Sequence, residues 1–119
     1  MKNLLKTLKI LIVEDEKKLA SLLKESILDT FFKVIIAKDG DEGLKKYNSF
    51  KPDIIITDIM MPFCDGLEMT QKIKELDENI PIIVLSAHSD KEKLLKAIDL
   101  GINKYFIKPF EPDELISYI

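Results

Sequence analysis

Asp53-Ile54-Ile55-Ile56-Thr57-Asp58 is the stretch whose reading decides the fold. Three successive β-branched residues predict a short strand buried on both faces, and the strand delivers a carboxylate, Asp58, at its carboxyl end just before Ile59-Met60-Met61-Pro62. In an open parallel sheet ligands bind at that edge. The other strand-like segments are read against this one.

Upstream, Leu8-Lys9-Ile10-Leu11-Ile12-Val13 is a second apolar, β-rich run, ending in Glu14-Asp15-Glu16. Leu19, Leu22, Leu23 and Ile27 then recur at helical spacing, which predicts an amphipathic helix from Glu16 to about Thr30. Lys33–Ala37 reads as a strand, Asp39-Gly40-Asp41 as a turn, and Glu42–Asn48 as a short helix. Downstream, Leu67, Thr70, Ile73, Lys74 and Leu76 mark a helix that stops before Pro81. Pro81–Leu85 is a buried strand ending in Ser86-Ala87-His88. Ser89 or Asp90 caps a helix with Leu94, Leu95 and Ile98 on its apolar face and Gly101 at its stop. Tyr105-Phe106-Ile107 is a last strand, ending in Lys108-Pro109, and a helix starts at Pro112.

Strands and helices thus alternate five times, with no repeat and no linker-like stretch. Right-handed crossovers convert this alternation into an α/β fold, an open, doubly wound, five-stranded parallel sheet with helices on both faces. A length of 119 residues fits a single domain with one continuous core. The composition, 46% hydrophobic and 33% charged with net charge −3, is that of a soluble globular chain and gives no reason to expect direct nucleic-acid or membrane binding. No apolar run approaches the length of a membrane span. Lys9 and the acids at 14–16 argue against a signal peptide. The lone Cys64 excludes an internal disulfide, is read as a small apolar residue, and suits a cytoplasmic setting.

The strand ends carry the chemistry. Glu14 and Asp15, Asp58, Ser86 and Lys108 all fall at one edge of the expected sheet. Carboxylates brought together repel unless a cation compensates, and hard oxygen donors without histidine or thiol favour Mg²⁺. A carboxylate beside Mg²⁺ is a competent nucleophile for phosphorus, with Lys108 and the Ser86 hydroxyl placed to stabilise phosphoryl oxygens. Each of these residues alone has a plainer reading: acids in a first helical turn, a loop aspartate, a capping serine, a solvated lysine. Their shared register is what favours chemistry.

Ile12-Val13-Glu14-Asp15-Glu16, Asp58-Ile59-Met60-Met61-Pro62 with Gly66 beyond it, Ser86-Ala87 and Lys108-Pro109-Phe110 resemble the motifs of response regulator receiver domains, the chemotaxis-regulator-like members of two-component signalling. The likeness covers the chain from about Leu8 onward. It implies the flavodoxin-like strand order 2-1-3-4-5. It further implies that Asp58 accepts a phosphoryl group from a sensor histidine kinase or phosphotransfer protein, and that Mg²⁺ is held by Asp15, Asp58 and the backbone carbonyl of Met60, with Glu14 acting through a water. Ser86 and Tyr105 become a switch pair acting on the face of the fourth helix, fifth strand and fifth helix, a face through which a phosphorylated chain can form a homodimer. Lys108–Pro109 becomes a candidate cis peptide bond. Met60 stands where many relatives carry a polar side chain, and His88 lies two residues beyond Ser86; both are read as tuning phosphoryl lifetime.

On this reading the chain is a regulatory phosphoacceptor rather than an enzyme. The short last helix suggests a piece of a longer regulator whose further domain binds DNA; a stand-alone receiver is the alternative. A haloacid-dehalogenase-like phosphatase shares the aspartate, lysine and Mg²⁺ but carries its nucleophile on the first strand with a second aspartate two residues on, where this chain has Met60. A flavodoxin-like cofactor binder wants a Ser/Thr/Gly-rich first loop, which is lacking. The intact acid set argues against a degenerate receiver that serves only as an interaction module.

Overall fold

The computed structural model describes residues 6–61 and 65–118, except for the side chains of His88 and Pro112. The readings of Pro62, of Cys64 and of the His88 side chain therefore lie outside the described residues.

Five strands, β1 (Lys9–Val13), β2 (Lys33–Ala37), β3 (Ile54–Asp58), β4 (Ile82–Ser86) and β5 (Lys104–Ile107), form one sheet in the order β2-β1-β3-β4-β5. Every pairing is parallel. The helices between and after them are α1 (Lys17–Ile27), α2 (Gly40–Phe50), α3 (Gly66–Leu76), α4 (Lys91–Asp99) and α5 (Pro112–Tyr118). The expected doubly wound, flavodoxin-like sheet is the one observed.

Side-chain alternation splits the core into two layers. Ile10, Ile12, Ile54, Ile56, Ile83 and Leu85 pack with Leu23 and Ile27 of α1 and Leu115 of α5. Leu11, Val13, Ile55, Ile82 and Val84 face the other way, onto Met69 and Ile73 of α3 and Leu94 of α4, with Leu44 and Tyr47 of α2 at the margin. Because β1, β3 and β4 are covered on both faces, they read as unbroken apolar runs rather than alternating ones. Burial of each such side chain contributes roughly 1.5–3 kcal/mol.

The helices depart from the sequence reading in where their stripes face. Leu22, Leu76, Leu95 and Ile98 are exposed, while Ala20, Met69 and Ala97 are buried instead. The apolar period was read correctly, but the residues it marks are not all the ones the sheet covers. α2 is also longer than expected: it begins at Gly40 because the Asp39 side chain accepts from the Glu42 N–H at 2.8 Å, making a cap of what looked like turn chemistry. Asp90 does not cap α4; its Oδ2 turns back to accept from the Ala87 N–H at 3.0 Å, closing a 3₁₀ turn over residues 88–90. Gly101 ends the next stretch with φ +92°, the left-handed conformation that favours glycine.

Candidate phosphoacceptor site

Register brings the polar strand ends together. Val13 pairs with Thr57, Asp58 with Leu85, and Ser86 with Ile107, so Glu14 stands level with Asp58 while Ser86 follows one step beyond at the end of β4 and Lys108 two steps beyond, just past β5. The backbone carries the register past the strands: the Glu14 N–H donates to Ala37 O at 3.0 Å, Ile59 N–H to Leu85 O at 3.2 Å, and Lys108 N–H to Ser86 O at 2.8 Å.

Glu14 and Asp58 are buried and Asp15 is exposed, yet one carboxylate oxygen of each lies within 4.8 Å of those of the other two. Lys108 reaches into this cluster. Its Nζ is 2.9 Å from Asp58 Oδ2 and 3.3 Å from Glu14 Oε1. The remaining oxygens are also held: Asp58 Oδ1 accepts from the Ile59 N–H at 2.9 Å, and Glu14 Oε2 from the Glu16 N–H at 3.2 Å. The Asp58 carboxylate thus has one oxygen on backbone and one on a cation, which fixes its plane.

Charge balance at the site is incomplete. Burial and then the neighbouring Asp58 carboxylate push the Glu14 carboxyl up to about 7, against the opposing pull of the Glu16 N–H and Lys108. Burial works to lower the Lys108 ammonium, but its contacts with Asp58 and Glu14 outweigh that and hold it above the usual lysine range. A hard divalent cation at the three oxygens would supply the missing positive charge, so the donor set fits Mg²⁺ better than a soft metal.

Ser86 is fully buried and its hydroxyl donates to the Ala87 carbonyl at 3.1 Å. Tyr105 is 43% exposed on β5, so its ring lies at the surface and not in the core. Met60, two residues after Asp58, is 49% exposed and its side chain offers no hard polar group. The Lys108–Pro109 peptide bond is cis, as the motif led us to expect. Asp53 takes no part: its carboxylate accepts from the Lys9 N–H at 2.8 Å, at the opposite end of the strand.

Gly66 figured in the motif, but its contact, and three further features of the site, were not read from sequence. Gly66 packs directly on the Asp58 backbone: a Cβ there would lie 1.9 Å from the Asp58 carbonyl oxygen. Asp65, before it, caps α3 by accepting from the Glu68 N–H at 2.9 Å, and the aspartate followed by a glutamate three residues on was the available signal. Lys93 binds Asp65 from α4, and nothing distinguishes it in sequence from other surface lysines. Beside Lys108 runs an apolar groove of about 510 Å³ lined by Leu19, Leu22, Leu23, Ser26, Pro109 and Phe110.

A parallel sheet in this order, with an acid pair just after β1, an aspartate at the end of β3 and a lysine just after β5, defines a class of phosphorylation-controlled signalling domain. The chain matches the response regulator receiver domain over residues 10–119 and belongs to that family. It is 36% identical over 107 residues to the alkaline phosphatase synthesis transcriptional regulatory protein PhoP of Bacillus subtilis, covering 90% of this chain and 45% of that protein. Among solved structures it is similar to the N-terminal domain of an uncharacterized protein from Wolinella succinogenes, at 42% identity and TM-score 0.89 over 94% of this chain and 90% of that one. The receiver domain of a Francisella response regulator is similar at 33% identity and TM-score 0.84, over 94% and 93% of the two chains. The chain spans about half the length of the curated relatives it matches. Receiver domains are regulatory, interact with histidine kinases or phosphotransfer partners, and generally bind Mg²⁺ at an acidic pocket. No helix among the described residues is long and apolar enough to cross a membrane.

Proposed function

We propose that this chain is a phosphorylation-activated switch in which Asp58 accepts a phosphoryl group from a phosphohistidine of a sensor kinase or phosphotransfer protein. The supporting observation is the pairing of Lys108 with Asp58 at 2.9 Å inside a cluster of three carboxylates. One Asp58 oxygen forms the new P–O bond as the P–N bond to imidazole breaks, the departing nitrogen keeping the electron pair. Asp58 is oriented for this by the Ile59 N–H. Lys108 neutralises charge on the phosphoryl oxygens, which is where such transfer gains most.

Asp15, Asp58 and the Met60 carbonyl would hold Mg²⁺, with Glu14 acting through a water. The ion supplies charge neutralisation for acceptor and phosphoryl group. The groove beside Lys108 gives the phosphodonor protein an apolar seat contiguous with the acceptor. The buried Ser86 hydroxyl can exchange its Ala87 partner for a phosphoryl oxygen, and the Tyr105 ring, on the surface of β5, can turn inward as it does so. That reshapes the α4-β5-α5 face, a two-state element biased by a local charge event. Met60, without a polar side chain to position water, tunes the life of the adduct. We place the domain in the cytoplasm as the receiver part of a transcriptional regulator that reaches DNA through a separate domain.

The test is incubation with Mg²⁺ and a small acyl phosphate, read by intact mass. We expect a gain of one phosphoryl group that is lost in Asp58→Asn and on chelation of the metal. An adduct that persists in Asp58→Asn would remove that residue from the mechanism.

A further inference from the structure

The Lys93–Asp65 ion pair stands outside the chemistry above, yet it reaches the acceptor in two steps. Lys93 Nζ lies 2.6 Å from Asp65 Oδ2, and the Asp65 side chain is only 12% exposed. Burial pushes the Asp65 carboxyl up, but the bond from Lys93 and the N–H groups of Glu68 and Leu67 outweigh it and hold it below the usual carboxylate range. The next residue is Gly66, whose N–H donates to Ile59 O at 2.8 Å and whose Cα faces the Asp58 carbonyl so closely that no side chain would fit. The Asp65–Gly66 turn is therefore pressed onto the backbone of Asp58–Ile59.

Lys93 belongs to α4, which is already attached to the site through Ser86, Ala87 and the Asp90 carboxylate on the Ala87 N–H. The ion pair makes a second attachment, between residues 28 apart in sequence and on different elements. With the lysine side chain 39% exposed, solvent screens the pair and its own contribution to stability is modest, so a role in staking α4 to the sheet is a weak account of it. A two-point attachment has a different consequence. Movement of α4 must either break the ion pair or drag the turn behind the acceptor.

We propose that Lys93 is a positioning residue for the acceptor: by holding Asp65 it fixes the Asp65–Gly66 turn against Asp58, so that occupancy of the acceptor site and the placement of α4 are coupled through this pair as well as through Ser86. The proposal rests on the phosphoacceptor reading of the same site. Coupling of this kind is reciprocal, and its usual range begins near fivefold in affinity.

The experiment measures Mg²⁺ affinity by calorimetry on the intact chain for Lys93→Met, for Asp65→Asn, which keeps a helix cap, for the double variant, and for Lys93→Arg. Charge at a distance would push the single variants in opposite directions, since losing an acid weakens cation binding and losing an ammonium strengthens it. The positioning role predicts that both weaken Mg²⁺ by about fivefold, that the double variant is no worse than either, and that Lys93→Arg stays within about twofold of the parent. Opposite shifts, additive shifts, or a lowered Tm with unchanged Mg²⁺ affinity would each overturn it. The rate of adduct formation from a small acyl phosphate is followed in the same variants. A parent protein that shows the Mg²⁺ responses but forms no adduct would overturn the phosphoacceptor reading and leave the positioning role standing.

Discussion

Glu14 is the residue whose environment departs furthest from its expectation as a helix-leading acid. Buried and facing Asp58, its carboxyl is raised from 4.5 to about 7. A group that binds its proton more tightly when folded confers stability that is complete below its unfolded value and is lost as pH rises through the folded one. At about 1.4 kcal/mol per pH unit of displacement, the loss is on the order of 3–4 kcal/mol. In divalent-free buffer the parent's Tm should therefore fall, relative to Glu14→Gln, between about pH 4.5 and 7, and saturating Mg²⁺ should return stability at the upper end. Parallel pH curves for the two proteins would show that Glu14 ionises freely. Much of this site was legible residue by residue, because Glu14, Asp15, Asp58, Ser86 and Lys108 each end an apolar run, and a parallel sheet aligns such ends. What was not legible was burial: Asp15 sits beside Glu14 in sequence but is exposed, a difference set by how the chain leaves β1.

At the scale of elements, two glycines hold neighbouring parts at contact distance and differ in what a methyl group would strike. At Gly66 the obstacle is backbone, the Asp58 carbonyl oxygen at 1.9 Å from the Cβ position. At Gly43 of α2 the nearest atom is the end of a flexible side chain, Met69 Sδ of α3, at 2.6 Å. A methionine can move aside, whereas β3 cannot without shifting the acceptor. Gly66→Ala should thus cost on the order of 3 kcal/mol and slow phosphorylation, while Gly43→Ala should cost about 1 kcal/mol or less, part of it offset by better helix propensity. Denaturant unfolding alongside the intact-mass assay separates them; equal losses in both would mean the two approaches are equivalent. The β3 run, Ile54 to Asp58, predicted its own strand to within one residue because period and burial agree there. The helix faces were less legible. Hydrophobic period marks a stripe, but whether Leu22 or Ala20 meets the sheet depends on how near the helix axis can come, a quantity fixed by its partners and not by its own sequence.

For the whole molecule, the distribution of exposed apolar residues indicates how a change at Asp58 could leave the domain. Leu95 and Ile98 of α4, Tyr105 of β5 and Tyr118 of α5 are all substantially exposed and lie on consecutive elements. Lys104 sits among them, its Nζ 5.8 Å from the ring centroids of both Phe106 and Tyr118, and the Tyr118 hydroxyl donates to the Asn103 carbonyl at 3.1 Å. Apolar side chains exposed on these elements can be matched by a second copy of the chain about a twofold axis. If phosphorylation turns the Tyr105 ring inward, the patch flattens and self-association strengthens. We expect sedimentation velocity to show a concentration-dependent dimer after treatment with Mg²⁺ and a small acyl phosphate, with the untreated protein monomeric at the same concentration. Leu95→Asp should abolish the dimer while leaving the mass gain at Asp58 unchanged, since that side chain is exposed and lies outside the carboxylate cluster. Ser86→Ala should retain slower adduct formation yet fail to dimerise, because it lacks the hydroxyl that on the proposed relay links Asp58 to this face. A phosphorylated parent that stays monomeric across the concentration range would sever the link between this face and a homodimer, and would assign the exposed patch to a different partner.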